Sequence, residues 1–223
     1  MLIIAIDTSG RHGSVALCRG DGDNLETLQL THLDGGTYSA RLMPAIAELL
    51  QQHGFQKSDV DGFVVVSGPG SFTGLRVGLA TVKGLCVALN KPLATVSMLE
   101  ALAITHGQGK VTAVADAGRG ELYVGEYMVA HNAQLLREYI VKLAEYPAEA
   151  RGSEGAFIAP DKAVADFLHT ASVDVALVAP VEADGIGRIG LRKLLAGDVA
   201  DIATVDVNYI RRSDAEMFAK PKR

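Results

Sequence analysis

The sequence predicts an α/β fold built as two related lobes. Three observations carry this. Short β-rich apolar runs, "LIIAI" and "GFVVV" among them, alternate with longer segments whose apolar residues recur at helical spacing. The chain opens with an apolar strand ending in an aspartate, a small glycine-bearing turn and a second strand. The same plan recurs at residues 111–129, "VTAVADAGRGELYVGEYMV", so Asp7 and Asp116 hold equivalent places. Finally, 223 residues, 48% of them hydrophobic and 21% charged, suffice for one large domain or two small ones with real cores. The expected division is residues 1–105 and 106–223.

The elements follow in order. "LIIAI" is a first strand, "TSGRHG" carries turn chemistry, and "SVALC" closes a hairpin. Leu42, Met43, Ile46, Leu49 and Leu50 mark a helix over about 38–53, with Thr37 or Ser39 as its cap and Pro44 bending or tightening its first turns. "GFVVV" is a buried strand. A helix over 72–89 is stopped by Asn90, Lys91 and Pro92. "LATVS" is a strand and "MLEALAIT" a helix that ends at "HGQG". In the second lobe, 147–155 reads as a loop, "FIAP" and "VALVAP" as strands, and 162–170 and 185–195 as helices. A strand–aspartate–turn–strand opening in both lobes looks like the sugar kinase, Hsp70 and actin superfamily, the actin-like ATPase fold, in which nucleotide sits between the lobes.

Composition excludes several classes. A net charge of −5 provides no broad basic field, so autonomous binding to nucleic acid is not expected. The tail "NYIRRSDAEMFAKPKR" is the exception, with five basic and two acidic residues. It reads as a solvated tail or as a contact for a partner or RNA. Two cysteines, Cys18 and Cys86, lie among apolar residues and read as buried reduced thiols, not a disulfide scaffold. "MLIIAID" reads as a strand and not a signal peptide, and no apolar run is expected to reach the ~18 residues of a membrane helix. The chain reads as cytoplasmic.

The stretch "SGPGSFTGLRVGLATVKGL", residues 67–85, holds five glycines between a strand and a helix. It is not a P-loop. Gly68 and Gly70 are followed five places on by Thr73 and Leu75 where that motif needs glycine. Thr73 also breaks a dinucleotide fingerprint, and Pro69 and Thr73 break a nucleophile elbow around Ser71. Histidines at 12, 32, 53, 106, 131 and 169 offer no helical metal pair. Asp7 and Asp116 are the best candidates for residual metal or phosphate contact, with hydrogen bonding inside the hairpin turn as the alternative. Gly70, Gly74 and Gly78 recur every four residues, a smooth face on one side of the helix. Interior glycine costs about 1 kcal/mol relative to alanine, so a close neighbour should offset it. That neighbour is either within the lobe or on another subunit; anion binding at the helix start by Ser71 and Thr73 ranks below both.

"GPGSFTGLRVG" resembles the signature of the TsaB (YeaZ) family. "IIAIDTS", "ADAGRGELY" and "NYIRRSDAE" resemble its other segments in the same order along the chain. The family often has "HSE" before "LLP", where this chain has Tyr38, Ser39, Ala40 and Arg41 before "LMP". "ADAG" stands for "DAR", leaving Arg119 as the nearest substitute. The resemblance implies a non-catalytic subunit of bacterial tRNA threonylcarbamoyladenosine synthesis. Its implied partners are TsaD, a larger paralogue holding metal through H-x-x-x-H, and TsaE, a P-loop ATPase. Transfer from threonylcarbamoyl-adenylate to the adenosine beside the anticodon would be TsaD's chemistry, with tRNA met only through the complex. Neither cofactor nor metal nor membrane is implied, and a homodimer is an option when the protein is alone. The expected interface uses first-lobe helices: Leu42, Ile46, Gly70, Ser71, Thr73, Gly74, Arg76 and Gly78. The alternatives are an ATP-dependent small-molecule kinase, resting on fold analogy, and a metallopeptidase, which the histidine spacing disfavours.

Overall fold

The protein is described from a computed structural model covering residues 1–21, 24–34, 36–106 and 108–210. Most of the basic tail, residues 211–223, lies outside the described residues. The described chain divides into two compact units, residues 1–101 with 180–207, and residues 102–179 with 208–210. The expected boundary near 105 therefore put one segment on the wrong side. Residues 180–207 return to the first unit.

In the first unit five strands form one sheet: β1 (Leu2–Asp7), β2 (His12–Asp21), β3 (Asn24–Asp34), β4 (Gly62–Gly68) and β5 (Leu93–Ser97), in the order β3-β2-β1-β4-β5. The first three are an antiparallel meander; β4 and β5 continue parallel to β1. Every residue of β1 is buried. That explains its unbroken apolar run, since a strand covered on both faces has no reason to alternate. The second unit repeats the plan with β6 (Gly109–Gly118), β7 (Glu121–Val129), β8 (Ala133–Lys142), β9 (Ala156–Ala159) and β10 (Val175–Leu177), in the order β8-β7-β6-β9-β10. Strand for strand, the two orders and directions match. The repeat seen faintly in the sequence is thus a repeat of topology.

Helices α1 (Tyr38–Gln52) and α2 (Phe72–Leu89) pack beside each other, α1 on β2 and β3 and α2 chiefly on β4. Pro44 lies inside α1, which runs on without interruption. Thr37 precedes α1 but makes no side-chain cap; its hydroxyl donates instead to the Asp34 carbonyl at 2.7 Å. Asn90 ends α2 in the left-handed conformation, φ 51°. α3 (Met98–His106) follows β5. In the second unit α4 (Tyr146–Ala150) forms where a loop was expected. Its Tyr146, Pro147 and Ala150 are buried. With α5 (Lys162–Thr170), α4 covers a core of Val114, Leu122, Val124, Phe157 and Leu168.

The returning segment carries α6 (Ala183–Leu195), which packs on β1, β2, β4 and β5. Ile186, Gly187, Ile189, Gly190, Leu191 and Leu194 are buried at helical spacing. Gly187 sits over Ala5 and Cys18, and Gly190 over Val64, residues that share one face of the sheet. The Ser14 hydroxyl oxygen accepts the Ala183 N–H at 2.9 Å, starting the helix. Near its end Lys193 bonds Glu100 at 2.8 Å and the Thr95 carbonyl at 3.1 Å. Burying four large aliphatic side chains is worth up to about 6–12 kcal/mol at ~1.5–3 kcal/mol each, comparable to a whole domain's stability. Residues 1–105 alone should therefore lack a cooperative thermal transition by circular dichroism. Joining residues 180–207 to them through a linker should restore it. A cooperative transition of 1–105 alone would contradict this.

Candidate functional site

The glycine stretch connects β4 to α2. Gly70, Gly74 and Gly78 do lie on one face, but that face is filled from within the lobe. A Cβ at Gly70 would stand 2.4 Å from the Ser9 carbonyl oxygen, at Gly74 2.0 Å from the Thr8 carbonyl oxygen, and at Gly78 2.3 Å from Thr8 Oγ1. These approaches leave no room for a methyl group. The β1–β2 turn therefore presses its backbone onto the start of α2. Three hydrogen bonds hold the contact: the Ser71 N–H donates to the Ser9 carbonyl at 2.6 Å, Thr8 Oγ1 to the Gly74 carbonyl at 2.8 Å, and the Tyr38 hydroxyl of α1 to the Gly10 carbonyl at 2.9 Å. Ser71 Oγ caps α2 by accepting the Gly74 N–H at 3.3 Å.

Four residues expected at a partner interface are thus interior. Gly74 and Gly78 face the turn, and Leu42 and Ile46 face the lobe's core, 1% and 4% exposed. The spacing argument found a close approach and could not tell an internal neighbour from an external one. Ser71, Thr73 and Arg76 are exposed, and Gly70 is intermediate. The Arg76 guanidinium lies 3.7 Å from the centroid of the Phe72 ring.

The opposite face of α2 is the one sequence reasoning missed. Ala80, Gly84 and Ala88 recur every four residues there and are exposed, with Val87 beside them at 71%. Among the described residues Gly84 has nothing within 4 Å of the position its Cβ would take, so no described contact offsets a glycine in mid-helix. On the neighbouring α1, Met43, Pro44 and Ala47 are exposed. At 18 residues and mean hydropathy 1.4, α2 is also long and apolar enough to cross a membrane, contrary to expectation. Its buried residues, among them Leu75, Leu79, Val82 and Cys86, are those of a helix packed on a sheet.

The two aspartates close their turns identically. Asp7 Oδ1 accepts the Ser9 N–H and Asp116 Oδ1 the Gly118 N–H, each at 2.8 Å. The alternative weighed for them, hydrogen bonding within the hairpin, is what the geometry contains. Their surroundings differ. Asp116 is exposed and its own N–H donates to Asp161 at 2.9 Å. Asp7 is 5% exposed, and burial pushes its carboxyl above the ordinary range while the bonds from Ser9 pull it down. Burial and Asp7 together raise the Tyr38 hydroxyl to about 12. A cavity of about 600 Å³ opens beside the turn, lined by Ser9, Arg11, Tyr38, Ser39, Ser71 and Thr73 among others. Cys18 and Cys86 are buried, their thiols pushed up to about 11 chiefly by that burial. Among the described residues no group of three histidine, cysteine or carboxylate side chains is arranged to hold a metal ion.

Two predictions follow from this geometry. Gly74→Ala should destabilise the protein by about 1–3 kcal/mol in denaturant titration, the usual cost of overpacking. Gly84→Ala should gain up to about 1 kcal/mol from helix propensity alone. Equal effects would contradict the assignment of inner and outer faces. For Asp7 the folded state holds its proton to higher pH than the unfolded state, so its contribution to stability falls as pH rises past the ordinary carboxylate value of about 3.9. Asp7→Asn keeps an acceptor for Ser9 and should be more stable than the parent at pH 7. The difference should shrink as pH falls toward and below that value. A parent that is the more stable of the two at pH 7 would contradict it.

Comparison with known proteins points one way. The model of the family described as TsaD, tRNA N6-adenosine threonylcarbamoyltransferase, matches residues 35–173. The Bacillus subtilis "tRNA threonylcarbamoyladenosine biosynthesis protein TsaB" is 37% identical over 150 residues, covering 66% of this chain and 64% of that protein. The Escherichia coli protein of the same name is 33% identical over 136 residues, 59% of this chain and 57% of that one. The matched region thus spans less than two thirds of either relative. A solved structure from Pseudomonas aeruginosa, described as similar to peptidase YEAZ, superposes with TM-score 0.76 at 23% identity, covering 94% of this chain and 99% of that one. That likeness shows the fold.

Proposed function

The chain belongs to the TsaD-like family, on its TsaB (YeaZ) branch and with the actin-like two-lobed fold, and from that premise we propose that it is a non-catalytic activating subunit of tRNA threonylcarbamoyladenosine synthesis. Its partner is a TsaD-like paralogue, which transfers threonylcarbamoyl from threonylcarbamoyl-adenylate to the adenosine next to the anticodon. A TsaE-like P-loop ATPase completes the set. The relatives' name, a biosynthesis protein for that nucleoside, supports the pathway.

The observation that carries the subunit role is the outer face of α2. A solvent-facing line of Ala80, Gly84 and Ala88 flanked by exposed Val87 lets a second helix come close, and no described residue gives Gly84 an internal reason to be glycine. Thr73 and Arg76 extend the same side toward the helix start. Docking of a paralogous helix there buries apolar surface and offsets the propensity cost. Two further features agree. Asp7, the buried carboxylate of the turn, is engaged by Ser9. A net charge of −5 makes this chain a poor sole reader of tRNA. The subunit then acts by position, holding its partner's lobes where adenylate and adenosine meet; such ordering can lower a barrier by several kcal/mol, within the roughly 7–11 kcal/mol available to proximity.

Reconstitution from purified proteins tests this. Modified nucleoside, measured by mass spectrometry, should fall to background without this chain and return at one equivalent per TsaD-like subunit. Gly84→Leu, which leaves the lobe's interior untouched, should weaken association with the paralogue at least about tenfold and raise the amount needed. Full modification without the chain would sink the activator role.

A further inference from the structure

We infer that Thr8 and Tyr38, neither of them on the docking face, are positioning residues for it: the β1–β2 turn is a latch that fixes α1 and α2 relative to each other. This rests on the docking reading above and adds to it a set of residues that touch no partner.

Thr8 is fully buried and Tyr38 is 5% exposed. Three consecutive residues of one turn bind the first turns of both helices. Thr8 Oγ1 and the Ser9 carbonyl hold α2 through Gly74 and Ser71, while the Gly10 carbonyl holds α1 through Tyr38. Clearance is nil on both sides. The position of a Cβ on Gly74 lies 2.0 Å from the Thr8 carbonyl oxygen and 3.3 Å from the Tyr38 ring, and one on Gly13 would meet that ring at 2.7 Å. A close-packed joint of this kind shifts as a unit or not at all. A docking face drawn from two helices depends on their relative placement, so the partner's affinity is coupled to bonds buried beneath it.

The experiment measures the Kd for the purified TsaD-like paralogue alongside thermal unfolding of each variant. Tyr38→Phe removes only the hydroxyl that reaches Gly10. Thr8→Val removes the donor to Gly74, and Thr8→Ser keeps it. Ile189→Val, on α6, is the stability control. Tyr38→Phe and Thr8→Val should each raise Kd by roughly three- to tenfold. Thr8→Ser should stay near the parent value, and the control should leave Kd unchanged despite its loss of stability. Should Thr8→Val fail to fold, Tyr38→Phe decides. Parent protein that binds while Tyr38→Phe binds equally well overturns the latch and spares the docking reading. A rise in Kd for the control equal to that of the latch variants also overturns it, by showing that stability alone sets affinity. Parent protein that does not bind overturns both.

Discussion

The contact between the β1–β2 turn and the glycines of α2 is the constraint from which the first lobe is built. Backbone lies on backbone there, with Thr8 and Ser9 filling the space that side chains at 70, 74 and 78 would need. Glycine is the weakest helix former after proline, and two of them, Gly74 and Gly78, in the first half of a helix oppose its formation. The contact offsets that through hydrogen bonds to Ser71 and Gly74, the second of them buried, and through dense packing. Because one side of α2 is committed to the turn, its other side is set as well: a helix with its glycine face inward turns Ala80, Gly84 and Val87 out to solvent.

The second lobe uses the same topology with different chemistry at this joint. Its turn closes through Asp116 as the first closes through Asp7. Where the first lobe joins turn to helix by a serine N–H on a carbonyl, the second does so by the Asp161 carboxylate accepting the Asp116 N–H, just before α5. A carboxylate at a helix start is favoured by the exposed N–H groups there. The first joint is tight, with Thr8 buried, and at the second Asp116 is exposed. At the first joint burial raises the pKa of the Asp7 carboxyl.

Much of this was legible in the sequence, and the limits were physical. The buried strands β1 and β4, the helices with a clear apolar face and the recurring aspartate turn could all be read, because burial on both faces or on one helical face leaves a strong pattern. The edge strands β3 and β8 left a weak one. All their residues but Leu33 are half-buried or exposed, so "NLETLQLTHLD" and "AQLLREYIVK" mix polar and apolar positions. The return of α6 to the first sheet could not be read at all, since periodicity reports a helix's own face and not the sheet that receives it. The glycine spacing at 70, 74 and 78 signalled a close approach, but the missing neighbours were Thr8 and Ser9, distant in sequence and adjacent only in the fold. Gly84 was the glycine that spacing passed over, and its lack of a neighbour among the described residues is visible only in three dimensions.

The central claim is that the outward face of α2, and not its glycine face, meets the partner. Thiol labelling of an Ala80→Cys variant tests it most directly, because Cys18 and Cys86 are buried with thiols raised to about 11 and compete little. Free protein should react with a maleimide at the rate of an exposed cysteine, and addition of the TsaD-like paralogue should slow that reaction in proportion to the complex formed. Labelling at an unchanged rate in a complex verified to be present would place the partner elsewhere and contradict the account.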